Sequence, residues 1–192
     1  MPKNVLQKSF GFTLIEILVS LSIVGILAAL TIPNLHRFNE QEILQTEVGK
    51  ILSVLRQAQS NAQSGLICPN SGGAANQWQV TFSSSGTGEN TIYSYSLIAR
   101  CLNDTINEVR QTFTIPQGIT LAIQGTNNVI NNGEVATCTL DQNSHIAFTR
   151  TTTQLLCSDI STLNDMTIVL TNSSINLSKR LIIKNGGSIN AE

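Results

Sequence analysis

The chain has 192 residues, of which 41% are hydrophobic and only 12% are charged, a length that allows one modest domain with appended segments. The formal net charge of −1 provides no general electrostatic attraction for nucleic acid or acidic substrates. One apolar block near the N-terminus holds much of the hydrophobicity, and the rest, rich in Ser, Thr, Asn, Gln and β-branched residues, is typical of a secreted β-rich domain more than of a cytosolic enzyme.

The first eleven residues are predicted to be a short basic leader, followed by a hydrophobic helix over residues 12–35. From Phe12 to Ile32 the run covers about 21 residues, roughly 31 Å as a helix, which matches the apolar core of a bilayer. A secretory signal peptide would have a shorter core followed by a small-residue cleavage site. Here the small residue, Gly11, precedes the run. Cleavage after Gly11 would therefore leave the helix on the mature protein as its membrane anchor.

Glu16 is the most informative residue of the apolar run. A carboxylate in the first turn of a membrane helix costs a few kcal/mol unless it is paired. Cleavage would create an α-amino group on Phe12, and a neighbouring subunit would present another. A carboxylate–ammonium pair between subunits would neutralise both charges and set the register of one helix against the next. The alternative is an ordinary anchor with a Glu near its edge.

The stretch KSFGFTLIEILVSLSIVGILAALTIPNL closely resembles the prepilin N-terminal methylation motif. The resemblance implies that the prepilin peptidase requires Gly11, that Phe12 becomes the N-methylated new N-terminus, and that Glu16 and Pro33 take part in assembly. It also implies an inner-membrane protein with a periplasmic head that later joins other pilins or pseudopilins in a filament. Type IV pilins, minor pilins and the pseudopilins of type II secretion share the motif, so pilus, secretion and competence machines all remain open.

The helix is predicted to kink at Pro33, which lacks an amide donor, and to continue as an amphipathic half over residues 36–65. Its apolar residues recur at three- and four-residue steps: Leu44, Val48, Ile51, Leu55, Ala58 and Ala62. The charged residues are predicted to lie elsewhere on the helix: Glu40, Glu42, Glu47, Lys50 and Arg56. Gly65 is a candidate C-terminal cap.

Residues 66–192 are predicted to form a β-rich head. The candidate strands are 78–82, 91–99, 111–115, 120–123, 135–140, 145–149, 154–157, 166–171 and 181–184. Loops rich in Gly, Asn, Ser and Asp separate them. We expect an α+β fold in which one antiparallel sheet, or two small sheets, lie against the helix. Together with this arrangement, the N-terminal resemblance implies the type IV pilin fold.

The four cysteines all lie beyond the apolar block: Cys68, Cys101, Cys138 and Cys157. In an exported chain, an even set of well-separated cysteines indicates disulfides. Three connectivities are possible, and we favour Cys68–Cys101 with Cys138–Cys157 because each pair closes a short loop. The alternative is four free buried thiols in a reducing compartment. Neither the cysteines nor the two histidines have metal-site spacing, so no metal or cofactor is expected.

The head also resembles the GspH/FimT group, more loosely. The similar segments are ILSVLRQAQSNAQSGLICPN, NQWQVTF, HIAFTRTTTQLLC and RLIIKNGGSI. This resemblance implies a minor pilin or pseudopilin, with a major pilin as the competing assignment.

Some FimT-like minor pilins bind DNA through an Arg-containing turn near the C-terminus, and this gives the alternative function, a DNA-binding minor pilin for natural transformation. The arginines of that turn are absent here. A small basic group remains at Lys179, Arg180 and Lys184, which would bind phosphate weakly. The competing interpretation is a solvated strand whose charges discourage edge-to-edge pairing.

We expect no catalysis. Ser144 and His145 lie near Asp141 in sequence, but proximity in sequence is not the geometry of a catalytic triad. Trp78, the single Trp, is expected to pack in the core and not to stack on a ligand.

Overall fold

The computed structural model describes residues 11–68, 75–101, 108–126, 135–138, 140, 144–157 and 163–192, with the backbone alone at 30–35, 89 and 135–137. The predicted leader lies outside these ranges up to residue 10. The chain divides into two compact units, Met1–Asn39 and Glu40–Glu192. The boundary falls within one long helix, and each unit is described by itself.

The helix, α1, runs from Leu14 to Ser64 and ends in a Schellman motif. Gly65 adopts a left-handed φ of 66°, which a residue with a Cβ reaches only at a cost. Its N–H donates to the carbonyl of Ala62 at 3.3 Å, and the N–H of Leu66 donates to that of Asn61 at 3.2 Å. The predicted C-terminal cap is confirmed. The backbone is helical through Pro33, where the kink stays a prediction.

In the described part of the chain, ten strands follow the helix. They are β1 (Ala75–Ser85), β2 (Ile92–Cys101), β3 (Glu108–Thr114), β4 (Ile119–Thr126), β5 (Val135–Cys138), β6 (His145–Phe148), β7 (Thr153–Leu156), β8 (Asp165–Asn172), β9 (Leu177–Lys184) and β10 (Ile189–Ala191). A short 3-10 turn at Gly88–Asn90 lies between β1 and β2. Each of the nine predicted strands is present with shifted ends, and β10 is an addition.

The strands form two five-stranded antiparallel sheets, so the two-sheet alternative is the one observed. The first sheet has the order β3-β2-β1-β6-β7, and the second has the order β10-β9-β8-β4-β5. We call them sheet 1 and sheet 2. Each sheet combines hairpins with one pairing distant in sequence: β1 with β6, and β4 with β8.

One core lies between the second half of α1 and the two sheets. The predicted apolar stripe from Leu44 to Ala62 is buried, together with Val54. It joins inward-facing residues of sheet 1, among them Trp78 and Phe82, and the aliphatic side chains of sheet 2 in a single cluster. Burying each large side chain contributes about 1.5–3 kcal/mol. The fold is therefore the expected α+β arrangement of helix and antiparallel head, consistent with the type IV pilin fold, and Trp78 packs in the core as predicted.

Hydrogen bonds join α1 to sheet 2 near both ends of this half of the helix. The Nδ2 of Asn172, at the end of β8, donates to the Oε2 of Glu40 at 2.7 Å. The Nε2 of Gln59 donates to the carbonyl of Gly187, in the turn between β9 and β10, at 3.1 Å. Because both bonds join residues far apart in sequence, they fix the direction in which the helix crosses the head.

Two disulfides complete the head. Cys68, just after α1, pairs with Cys101 at the end of β2, and Cys138 of β5 pairs with Cys157, which directly follows β7. The pairing is the short-loop one favoured from the sequence. Since β5 is an edge strand of sheet 2 and β7 an edge strand of sheet 1, the second disulfide joins the two sheets covalently.

Candidate assembly segment

The first turn of α1 is capped by a side chain of the FTLIE segment itself. Thr13 is the N-cap, and its Oγ1 accepts a hydrogen bond from the N–H of Glu16 at 3.3 Å. Its carbonyl also accepts from the N–H groups of Glu16 and Ile17, at 3.1 and 3.3 Å. Thr-x-x-Glu is the sequence of a capping box. This spacing of Thr13 and Glu16 is visible in the sequence itself.

This position gives Glu16 a local role in addition to any role between subunits. It is the acidic residue of the first turn, where the partial positive charge of the helix N-terminus favours a carboxylate by about 0.3–1 kcal/mol. Any substitution at Glu16 therefore changes two things at once, the charge and the helix start. Only Gln keeps the capping-box pattern while removing the charge.

The side chains that follow form an exposed apolar surface. Phe12 and Leu14 are each 80% exposed. The other large apolar residues as far as Leu27 are also exposed: Ile15, Ile17, Leu18, Val19, Leu21, Ile23, Val24 and Ile26. Contiguous apolar surface of this kind marks a site that contacts another protein or a membrane. We call residues 12–27 the assembly segment.

The hydroxyl groups of the assembly segment are satisfied by its own backbone. Ser20 Oγ donates to the carbonyl of Glu16 at 2.7 Å, and Ser22 Oγ donates to that of Leu18 at 2.8 Å. Such bonds let serine lie in a helix without presenting an unpaired donor to its surroundings. The ionisable group on the outer surface of this segment is the carboxylate of Glu16.

The predicted membrane helix, residues 12–35, includes the stretch 30–35, whose side chains lie outside the described part of the structure. Within the described residues, no helix has both the length and the apolar character needed to cross a membrane.

A second glutamate of α1, Glu47, corrects the helix prediction. We expected it on the polar side, but its side chain is only 1% exposed. Its Oε1 accepts a hydrogen bond from the Oη of Tyr95 in β2 at 3.1 Å, and its Oε2 lies 3.1 Å from the Nζ of Lys50. Glu47 comes three residues after Leu44 and directly before Val48, so helical spacing already put it beside the apolar stripe.

Burial of Tyr95, followed by the charge of Glu47 and its hydrogen bond, raises the pKa of the Tyr95 hydroxyl well above the ordinary value of 10. The hydroxyl therefore stays protonated and acts as a donor. The pair joins α1 to sheet 1. Its chemistry is structural, because the carboxylate already has partners within the chain.

The three basic residues near the C-terminus do not share one face of sheet 2. Along β9, Lys179 lies on the same face as the buried Leu181 and Ile183, whereas Arg180 and Lys184 are exposed on the opposite face. Acidic residues lie directly across from both. Lys184 is paired in register with Asp165, and Arg180 exchanges two backbone hydrogen bonds with Glu192, at 2.9 and 2.8 Å. The structure thus places two of the predicted cations on one face of the strand, four residues apart, and the third on the other face.

The neighbouring Ser144 and His145 are buried at the start of β6, where His145 is paired in register with Thr81 of β1. Asp141, the third residue of the catalytic triad considered from the sequence, lies outside the described residues.

The chain carries the Prokaryotic N-terminal methylation motif over residues 6–32. This is the signal of type IV pilin-like prepilins, and it spans Gly11, Phe12 and Glu16. The motif supports a pilin-like or pseudopilin role, points to a structural protein, and implies processing by prepilin peptidase, membrane anchoring and later assembly with other pilins. Comparisons of the chain with curated proteins and with solved structures gave no significant match.

Proposed function

We propose that the chain is a minor pilin or pseudopilin, a structural subunit of a type IV pilus or of a type II secretion pseudopilus. The observation that carries the proposal is the methylation motif on an exposed apolar helix that leads into a folded, disulfide-bonded head. The subunit would enter the inner membrane as a single-pass protein with a periplasmic head. There the oxidising environment would maintain both disulfides.

Processing would supply the positive charge that pairs with the Glu16 carboxylate. Cleavage after Gly11 creates an ammonium group on Phe12, next to the capping residue Thr13. In an apolar filament core, an isolated carboxylate or ammonium costs several kcal/mol, and pairing removes most of that cost. Glu16 of one subunit and Phe12 of the next are the residues we assign to this pair.

The pair would also fix the register between subunits. Apolar contacts between helices are tolerant of sliding, because neighbouring turns offer similar surfaces. One ion pair per subunit selects a single axial offset, in the way that one buried polar residue fixes the register of a coiled coil. The rest of the assembly segment would then exchange lipid contacts for contacts with neighbouring helices.

The minor-subunit assignment, of the GspH/FimT type, rests on the head segments and not on the N-terminal motif. The helix end around Ala58 and Ala62, the cysteine after it and the Trp78 strand are the features that support it. Quantitative mass spectrometry of sheared filaments tests it against a major pilin. We expect this chain to be a small minority of the subunits, and a chain that forms the bulk of the filament would overturn the assignment.

Substitution of Gly11 tests the processing step. Gly11→Val should leave an uncut precursor, heavier than the mature protein by the leader, because the peptidase would no longer accept the residue before the cut. Gly25→Val is the matched control, since a Cβ at Gly25 meets no atom within 4 Å and Gly25 lies in α1, away from the proposed cleavage site. Mature protein in the Gly11 variant, or precursor in the Gly25 variant, would contradict the proposed site.

The DNA-binding alternative has less support, since two cations on a shared face, each across from an acid, offer few phosphate contacts. An electrophoretic shift assay with duplex DNA distinguishes the two functions. We expect no shift at physiological salt. A shift that is lost in the double variant Arg180→Gln, Lys184→Gln would favour the alternative.

A further inference from the structure

The outer face of sheet 1 holds a pocket of about 300 Å³, at the small end of the range for ligand sites. Its described lining comes mainly from two neighbouring strands: Gln79, Thr81 and Ser83 of β1, and Ser96, Ile98 and Arg100 of β2. The pocket lies on the side of the sheet away from the core, since Trp78, Val80 and Phe82 alternate with these residues and are buried in the core. It belongs to neither the assembly segment nor the basic residues of β9.

The antiparallel register places the polar groups of the pocket side by side. Gln79 is paired with Ile98, and Thr81 is paired with Ser96. Two of the lining hydroxyl groups are already oriented by cross-strand hydrogen bonds: Ser83 Oγ lies 2.9 Å from Ser94 Oγ, and Ser96 Oγ lies 3.0 Å from Thr112 Oγ1. The lining is thus a fixed array of hydroxyl groups on a rigid sheet.

Gln79 has an unfilled hydrogen-bonding capacity in this array. Its side chain is 3% exposed, and its Oε1 receives no hydrogen bond from the residues that the structure describes. Its Nε2 donates to Thr81 Oγ1 at a long 3.4 Å. If the amide were flipped, its NH₂ group would be the one without a partner. Either orientation therefore leaves one buried polar group of Gln79 unpaired. Buried polar atoms are normally paired, and this one lines a pocket.

Arg100 supplies a positive charge on the same face. It is exposed, and it is paired with Gln77 two residues along β1 from Gln79, so its Cα lies roughly 7–8 Å from that of Gln79, as for diagonal neighbours in a sheet. A guanidinium group binds a carboxylate with two parallel hydrogen bonds. Ile98 and Val109 add apolar surface, while the described lining contains no aromatic ring on which a neutral sugar could stack.

We propose that this pocket binds a small hydroxy-carboxylate of monosaccharide size, that is, a sugar acid. Its carboxylate pairs with Arg100, and one of its hydroxyl groups donates to the free oxygen of Gln79. The hydroxyl groups of Thr81 and Ser96 contact the remaining oxygens. Because the Gln79 oxygen is buried in the unbound protein, the side chains around it must shift as the ligand enters. The proposal does not depend on the assembly function.

Titration of the full-length protein in detergent micelles tests the proposal. Sodium D-glucuronate is the probe, methyl glucoside is the neutral sugar control, acetate is the carboxylate control, and amide chemical shifts in NMR spectra report binding. We expect saturable binding of glucuronate, with the shifted amides on β1 and β2. Methyl glucoside and acetate should each bind at least tenfold more weakly, because each lacks one half of the recognised chemistry.

Variants locate the binding. Arg100→Gln should weaken glucuronate binding at least tenfold, whereas Arg110→Gln, a change at an exposed arginine of β3 outside the described lining, should leave it unchanged. Thr81→Val removes a lining hydroxyl together with the acceptor of Gln79 Nε2, and it should also weaken glucuronate binding. Absence of saturable glucuronate binding, equal binding of acetate, or an equal loss in both arginine variants would each overturn the proposal.

Discussion

Two glutamates of the same helix lie in opposite surroundings. Glu16 is exposed at the start of α1, among apolar side chains that are exposed as well. Glu47 is buried in the second half of α1, where Tyr95 and Lys50 contact its two carboxylate oxygens. The head thus supplies partners for its own buried charge. The assembly segment presents both its charge and its apolar surface outward.

This difference indicates that the second half of the helix finds partners for its buried groups within a single chain, whereas the first half does not. In the head, the apolar stripe is covered by two sheets and the carboxylate is hydrogen-bonded, so the folded state needs no further partner. In the assembly segment, the serine hydroxyls bond to the backbone while the large apolar side chains stay uncovered. A segment of this kind reaches its stable state only among lipids or neighbouring helices.

The largest loss of stability should follow from breaking the disulfide that links the two sheets of the head. The double variant Cys138→Ser, Cys157→Ser opens a loop of 19 residues, and we expect the free energy of unfolding to fall by about 3 kcal/mol. Urea unfolding under oxidising conditions measures the change. Cleavage after Gly11 should be unaffected, because that site belongs to the other half.

Reduction of the unsubstituted protein provides a control, since it should lower the stability at least as much as the double variant. An unchanged urea midpoint in the variant would contradict the role given to this disulfide.

A smaller loss should follow from Tyr95→Phe, which keeps the ring and removes the donor to Glu47. Hydrogen bonds to charged groups contribute about 1.5–3 kcal/mol, so we expect a loss in that range at neutral pH. Tyr93→Phe, a change at a half-buried tyrosine on the same strand, should have little effect.

The same pair predicts a dependence on alkaline pH. Folding raises the pKa of Tyr95 above its ordinary value of 10. Below pH 10 the hydroxyl is protonated in both the folded and the unfolded protein, so its contribution to the free energy of unfolding is fully present. It is lost as the pH rises from 10 toward the folded pKa, by up to about 1.4 kcal/mol per pH unit. Urea midpoints from pH 8 to 11 should fall less steeply in Tyr95→Phe than in the unsubstituted protein. Parallel curves would contradict the assignment.

The smallest effect concerns the cap of the assembly segment. Thr13→Ala removes the side-chain acceptor for the N–H of Glu16 and should cost about 1 kcal/mol at the helix start. Amide hydrogen exchange at Glu16 should become about fivefold faster, while the urea midpoint of the head stays unchanged. Equal exchange rates would show that Thr13 does not cap the helix in solution.

The sequence predicted most of the elements because local patterns determine them. Gly65 marked the end of α1, and alternation marked nine strands. The sequence did not predict β10, because Ile189–Ala191 has too few residues to show an alternating pattern. The strand is identified by its pairing with β9. The division into two sheets rests on the pairing of β1 with β6 and β4 with β8, which no local pattern encodes.

The sequence predicts the two glutamates unequally well. The methylation motif identifies Glu16, but it does not by itself indicate that Glu16 also occupies a capping-box position at the start of α1. Glu47 was assigned to the polar side because helical periodicity gives the direction of the buried face but not its width. That width depends on two sheets covering the helix, which is a property of the tertiary structure.

The most direct test of the pairing between Glu16 and Phe12 of a neighbouring subunit is the incorporation of Glu16→Gln into filaments. Gln keeps the capping-box pattern and the size of the side chain but removes the charge, with Thr13→Ala as the variant that weakens the cap and keeps the charge. Immunoblots compare the mature protein in membranes with that in sheared filaments. We predict normal cleavage of both variants, at least a tenfold loss of Glu16→Gln from filaments, and near-normal incorporation of Thr13→Ala. Normal incorporation of Glu16→Gln would contradict the pairing of Glu16 with Phe12 of a neighbouring subunit.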